Sequence, residues 1–332
     1  MSPVELSVVI PVRNEAPSVG ELHRELTDTL AAWGRAYEII VVDDGSTDDT
    51  FERLARLQSL DPNLRLIRFR RNFGQTAAFA AGFDHARGRY IVTMDGDLQN
   101  DPADIPELVA TLERGADIVC GWRKNRQDAL VSRRLPSTLA NALISAVTGV
   151  RLHDYGCSLK AFRAEVVKPM KLYGEMHRFL PAIASEQTSS IVEMPVKHRA
   201  RQHGESKYGI GRTIRVILDL LTVKFLLSYS TRPLQIFGLI GVTLGAAGGV
   251  ITGGLVIGRL AEAVSLTKHE PLLLLGILLV SAGFQLITLG LLAEMQARTY
   301  HESQNKPIYV IGEIRQTAAS PHDRSGYRLT TP

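Results

Sequence analysis

Acidic residues recur in this sequence just after short apolar runs, in a spacing that suits divalent-cation and phosphate chemistry. The sharpest instance is Asp95-Gly96-Asp97-Leu98-Gln99, which follows the run Tyr90–Met94. Side chains two residues apart at a strand end point the same way, so Asp95 and Asp97 can present two carboxylates to one hard cation. Gln99 adds a neutral oxygen. Mg2+ or Mn2+ is the expected ion, because either keeps some waters and bridges substrate phosphates, and no His/Cys array of zinc spacing accompanies the pair. Three more polar clusters stand in the same position: Pro11-Val12-Arg13-Asn14-Glu15, Asp43-Asp44-Gly45-Ser46 and Arg71-Asn72-Phe73-Gly74. Each alone also reads as turn chemistry, since Asp, Asn, Gly and Ser are favoured in turns. Jointly, they describe one crevice.

Such a crevice needs a sheet whose strands end together. Leu6–Val12, Glu38–Asp43 and Tyr90–Met94 are β-branched apolar runs of the kind buried in parallel sheets. Leu64–Phe69 is a weaker strand, because Arg65 and Arg68 interrupt it and suggest a place nearer the sheet edge; Ile191–His198 is a further strand, continuing onward so that Arg199 and Arg201 make one side basic. Helical stretches at Ser18–Trp33, Asp48–Leu60, Gln75–Ala86 and Pro102–Glu113 lie between and after the strands, with Asp101-Pro102 as cap and first turn. The alternation predicts an α/β fold, an open, mostly parallel sheet with helices on both faces, and ligands beyond the carboxyl ends of its strands. No G-x-G-x-x-G opens a helix after a strand, which disfavours a dinucleotide oxidoreductase.

The remaining chain has a different character. Arg232 and Arg259 enclose 26 uncharged residues, and Glu270 and Glu294 enclose 23; about 20 suffice to cross a bilayer. Lys224, Arg232, Arg298 and Lys306 flank the outer ends, while Glu262 and Glu270 balance Arg259 and Lys268 in the connecting segment. The positive-inside bias then places the N-terminal region in the cytoplasm. Gly241, Gly245, Gly249 and Gly253 form a small-residue face that could meet the second span or another copy. Ser132–Val147 and Ile214–Leu227 are amphipathic, with core and membrane-interface readings both open. Cys120 and Cys157 are too few for a disulfide scaffold and suit a reducing compartment.

Val9–Glu15, Val42–Asp48 and Asp95–Gln99 resemble family 2 glycosyltransferases of the GT-A (Rossmann-like) fold. Arg199-Ala200-Arg201-Gln202-His203-Gly204-Glu205-Ser206-Lys207-Tyr208, two spans and the ending Ala297–Gln304 are similar to the polyprenyl-phosphate glycosyltransferases. That group includes dolichyl-phosphate mannose synthase and bacterial undecaprenyl-phosphate enzymes with two transmembrane spans. The resemblance implies inverting, metal-dependent transfer from a nucleotide-sugar donor, UDP-linked, to a polyprenyl (undecaprenyl) phosphate acceptor at the cytoplasmic face of a bacterial inner membrane. The product would serve envelope glycan or lipopolysaccharide modification. Membrane lipid and a second copy are expected partners, and nucleic acid is not.

By the same resemblance, Pro11, Asn14, Glu15, Asp43, Asp44, Ser46, Asn72, Gly74 and Asp95 hold the nucleotide, and Asp95, Asp97 and Gln99 the metal. Arg201, Ser206 and Lys207 clamp phosphates, Arg123 and Arg134 approach the lipid phosphate, and Asp154 is base or acceptor positioner. His177, Arg178 and Glu186 are candidates for sugar selectivity. The implied layout is a GT-A domain at 1–211, a juxtamembrane amphipathic helix at 212–231, a hairpin at 232–296 (spans near 234–258 and 271–293) and a cytoplasmic tail at 297–332. A GDP-mannose-dependent mannose synthase is the alternative within the group; a non-catalytic scaffold or lipid-translocation partner is the alternative outside it. A sugar-nucleotide pyrophosphorylase would carry a Gly-rich arginine loop where Pro11–Glu15 stands. A processive synthase would carry Gln-x-x-Arg-Trp, which surrounds neither Trp33 nor Trp122.

Overall fold

The computed structural model describes residues 3–124, 141–200 (apart from 143, 147, 173, 175, 186 and 189), 233–261, 269–303 and 308–316. The chain divides into two compact units, an α/β head and a helical hairpin.

The head opens with β1 (Leu6–Val12), α1 (Val19–Trp33), β2 (Tyr37–Asp43), α2 (Thr50–Leu60), β3 (Leu64–Phe69), α3 (Gln75–His85) and β4 (Tyr90–Thr93). A 3-10 turn at Pro102–Asp104 leads into α4 (Ile105–Glu113), with the Asp101 carboxylate accepting the Ala103 N–H in the expected capping role. Then come β5 (Ile118–Trp122), β6 (Lys160–Arg163), β7 (Ile191–Pro195) and, far downstream, β8 (Ile311–Arg315). The sheet order is β7-β5-β6-β4-β1-β2-β3-β8. β1 to β4 run parallel; β6 is antiparallel to both β4 and β5, so β5 and its parallel neighbour β7 point the same way as β1. Six strands therefore deliver their carboxyl ends to one edge.

Alternate β1 residues face different layers. Leu6, Val8, Ile10 and Val12 pack with Leu22, Leu26 and Leu30 of α1, Leu54 of α2 and Leu108 and Leu112 of α4. Each such side chain contributes roughly 1.5–3 kcal/mol by leaving water. On the other face α3 lies so close to β1 that a Cβ on Gly82 would collide with the Val9 side chain. Helices thus cover both faces, as the alternation predicts.

Three strands were illegible: β5, β6 and β8. The segment expected as a tail returns to the head, where β8 pairs antiparallel with β3. β3 is thus second from the edge, near it as Arg65 and Arg68 suggest, with β8 outside it. The Arg65 guanidinium is buried and donates to Glu38 at 2.8 Å, so the pair compensates charge that burial would otherwise strand.

The second unit pairs α5 (Pro233–Leu260) with α6 (Glu270–Ser303). Both have stretches long and apolar enough to cross a bilayer, 24 residues at Phe237–Leu260 and 23 at Glu270–Leu292. Only 17% and 11% of their most apolar windows are buried in protein, unlike the core helices of a soluble domain. Glycines allow the close approach: a Cβ on Gly241 would lie 2.6 Å from the Gly283 carbonyl oxygen, and one on Gly248 2.5 Å from that of Gly276. Gly249 and Gly253 of the predicted stripe face open space.

Candidate functional site

The crevice is built from the loops leaving β1, β2, β3, β4 and β5. At β1, Asn14 adopts a left-handed conformation (φ 56°), which asparagine tolerates better than most residues. Its Oδ1 accepts the Thr47 N–H at 2.8 Å, and its own N–H donates to Ser46 Oγ at 3.0 Å. Glu15 sits at the start of α1, its N–H on Thr50 Oγ1 and its Oε2 accepting from Ser18 Oγ. Pro11 is only partly exposed within β1.

Asp43 and Asp44 are both buried, and in each case burial pushes the carboxyl above its usual range. Their partners differ. Asp44 spends both oxygens on backbone, accepting the Phe73 N–H at 2.6 Å and the Gly74 N–H at 3.0 Å. It stitches the β2 loop to the β3 loop. Asn72 Oδ1 also accepts the Gly74 N–H, at 2.9 Å. The seam is tight: Gly45 has φ 65°, and a Cβ there would sit 2.6 Å from the Arg71 carbonyl carbon. Asp43 uses Oδ1 on the Ser46 N–H, whereas its buried Oδ2 has no hydrogen bond and only Arg68 Nε at 3.5 Å.

At β4 the Asp95 carboxyl is partly buried, and Gln75 Nε2, in the first turn of α3, donates to its Oδ1 at 2.7 Å. Its pKa is raised, first by burial and then by the neighbouring Asp97 charge. Asp97 Oδ1 accepts the Gln99 N–H at 3.2 Å, and the Gln99 carbonyl accepts the Arg199 N–H at 2.9 Å. Among the described residues no group of three or more His, Cys, Asp or Glu side chains could hold an ion. The donor set thus fits a hard cation held by two carboxylates and completed by substrate and water. Two neighbouring carboxylates, one raising the pKa of the other, are the environment such an ion relieves.

At β5 the structure brings Arg123 and Asp154 together. Arg123 Nε and Nη2 donate to Asp154 Oδ2 and Oδ1 at 2.7 and 2.9 Å, a bidentate and nearly buried pair. Arg123's pKa is raised: burial, the largest single effect, opposes its charge, but the bond to and charge of Asp154, with Cys157 and Asp95, together outweigh it. Lys160, buried in β6, directs Nζ at the Tyr155 and Cys157 carbonyls and lowers the cost of Asp95's charge. Burial pushes the Cys120 thiol up to about 12 and raises Cys157 as well, so both are inert.

Arg134, Arg201, Ser206, Lys207 and Glu186 lie outside the described residues, as do 212–231 and most of Ser132–Val147. Arg199, expected to line a basic strand face, lies past the end of β7 and pairs with Glu25 at 2.7 Å and Asp101 at 3.2 Å. His177 Nδ1 meets Thr76 Oγ1 at 2.9 Å, one residue from Gln75. The sequence reading missed Gln75, Lys160 and Glu193. Gln75 was findable, because it directly follows the polar cluster after β3; Lys160 lies inside a strand with no clear apolar run, and Glu193 lies in a strand that was read but follows no strand end.

Residues 7–170 match the family described as Glycosyl transferase family 2. Dodecaprenyl-phosphate galacturonate synthase of Rhizobium johnstonii is 49% identical over 94% of this chain and 93% of its own. Undecaprenyl-phosphate 4-deoxy-4-formamido-L-arabinose transferase of Salmonella typhimurium is 36% identical over 98% of each. Glucosyl-3-phosphoglycerate synthase from Mycobacterium tuberculosis, solved with Mn2+, UDP and phosphoglyceric acid, superposes with a TM-score of 0.54 at 19% identity, over 67% of this chain and 78% of that one.

Proposed function

The chain belongs to glycosyl transferase family 2, and from that premise we propose that it transfers a sugar from a UDP-linked donor to a polyprenyl phosphate, inverting the anomeric carbon. The observation that carries this reading is the Asp95/Asp97 pair at the shared carboxyl edge, in a chain similar from end to end to polyprenyl-phosphate sugar transferases. Galacturonate is the favoured sugar over 4-deoxy-4-formamido-L-arabinose, because similarity to the galacturonate synthase is the higher.

Asp95, Asp97 and the Gln99 side chain would hold Mg2+ or Mn2+. That ion, when bound, offsets the diphosphate charge that grows as the glycosidic bond breaks. The orphaned Asp43 Oδ2 suits a donor such as the imide N–H of uracil. Asn14, Glu15, Ser46, Asn72 and Gly74 shape the nucleotide pocket around it, with Pro11 at its floor. Asp44 acts through them, by fixing the loop.

The acceptor phosphate needs little proton removal, since its second pKa is ~6 and at neutral pH it is already largely the dianion. One of its oxygens attacks the anomeric carbon opposite the departing UDP. Asp154 is then a positioning residue: its carboxylate is committed to the guanidinium that orients the phosphate. Arg134, Arg201, Ser206 and Lys207 are further phosphate partners on sequence grounds. A head on the cytoplasmic side of a bacterial inner membrane suits the basic flanks of the spans, and membrane lipid and a second copy are its proposed partners.

The test is a donor panel. Membranes carrying the protein are incubated with labelled UDP-galacturonate, UDP-4-deoxy-4-formamido-L-arabinose, UDP-glucose and GDP-mannose, and the lipid is extracted. Label from UDP-galacturonate is expected in a polyprenyl-phosphate product; label from GDP-mannose alone would support the mannose synthase.

A further inference from the structure

Beside the Arg123–Asp154 pair stands an aromatic stack that the transfer reaction, as described, does not use. Trp122 ends β5, and its ring stacks on the His153 imidazole with centroids 4.5 Å apart and planes 21° apart. The indole is partly exposed, and the His153 side chain is 69% exposed. An exposed imidazole gains little by packing there, so its orientation must be held by something else.

Glu193 of the edge strand β7 holds it. Glu193 Oε2 pairs with His153 Nδ1 at 2.7 Å, while Oε1 accepts the N–H of His153 at 2.8 Å and of Asp154 at 3.2 Å. One carboxylate therefore fixes both the exposed imidazole and the turn carrying Asp154, which in turn fixes Arg123. Lys124 is exposed, its Nζ 5.5 Å from the Trp122 ring centroid. An outward aromatic pair thus stands next in the chain to a guanidinium, Arg123, that is bound to Asp154, and within reach of an ammonium, Lys124. Its chemistry matches a ligand with an anionic head and a hydrocarbon body: cations for the phosphate, π-faces for the chain next to it.

We propose that the Trp122–His153 stack is the ledge on which the first isoprene units of the acceptor rest, with Lys124 joining Arg123 at its phosphate. The proposal rests on the polyprenyl-phosphate reading above and adds the residues that recognise the hydrocarbon. Glu193 acts through the ledge, as its positioning residue.

The test measures both substrates on the full-length protein in detergent. Trp122→Ala and His153→Ala are expected to raise KM about tenfold, for undecaprenyl phosphate and for the two-isoprene citronellyl phosphate alike, because only the first units meet the ledge. Donor KM and UDP affinity stay at wild-type values, which also shows that the variants fold. Trp122→Phe, which keeps an aromatic face, stays within about twofold of wild type. Unchanged acceptor KM in both alanine variants overturns the ledge. So does an equal rise in donor KM, which would assign the stack to the sugar. In either case wild-type transfer to undecaprenyl phosphate leaves the reaction itself standing; a wild-type protein that uses neither lipid phosphate removes the reaction and the ledge together.

Discussion

Asp95 is a residue kept at a cost to the fold. Its carboxyl pKa is raised by burial and by Asp97. A raised folded value means that the stability linked to this group is present below the ordinary carboxylate pKa and lost as pH climbs through the folded one, so at neutral pH the charge is a burden. Asp95→Asn should therefore raise the Tm of the metal-free protein by about 2–4 °C and abolish any gain in Tm on adding Mn2+; thermal scans with and without the ion check both. Asp97→Asn should lower kcat by at least about 100-fold while UDP-independent stability is preserved. Asp154 separates two roles. As a positioner of Arg123, Asp154→Asn keeps an acceptor oxygen and loses under about tenfold, mostly in acceptor KM; as a general base it would lose about 100-fold or more in kcat, with the pH profile altered. Most of these residues were visible as polar types after apolar runs. What the residue types could not reveal was commitment: Asp44 to the Phe73 and Gly74 amides, Arg199 to Glu25, Asp154 to Arg123.

Elements were legible in proportion to the length of their β-branched apolar runs. β1 and β2 lie inside the sheet with long β-branched runs, and their bounds match the expected ones to within a residue. β6 reads Lys-Ala-Phe-Arg and β8 reads Ile-Gly-Glu-Ile-Arg; each is made by pairing across the sheet rather than by its own pattern, so neither announces itself. β8 is anchored by Tyr309, just ahead of it, which stacks on Phe69 at 5.2 Å and donates to Asp84 Oδ2 at 2.7 Å. Tyr309→Phe should cost about 1 kcal/mol in denaturant unfolding and Tyr309→Ala about 3 or more. In the hairpin, the glycines differ by what faces them. Gly283→Val places a side chain where a Cβ already lies 2.5 Å from the Gly241 carbonyl, and should reduce the yield of folded, detergent-extracted protein severely. Gly249→Val, which meets nothing within 4 Å, should extract normally. If it also shifts the size-exclusion mass downward, the second copy packs on that face.

At the scale of the whole molecule, one chain combines a family 2 glycosyltransferase head with two helices long and apolar enough to cross a bilayer. The division into head and hairpin was plain from charge distribution alone, since charge disappears for more than twenty residues twice. The return of the chain to the head as β8 was not, because five residues carry too little signal to separate a strand from a tail. The central claim is that a divalent ion on Asp95 and Asp97 drives sugar transfer onto a polyprenyl phosphate. The most direct measurement is product formation from labelled UDP-galacturonate and undecaprenyl phosphate by purified protein, after exhaustive chelation and again after adding Mn2+ or Mg2+. Loss of lipid-linked label on chelation and its return with the ion are the predicted results; undiminished labelling in the chelated sample contradicts the account.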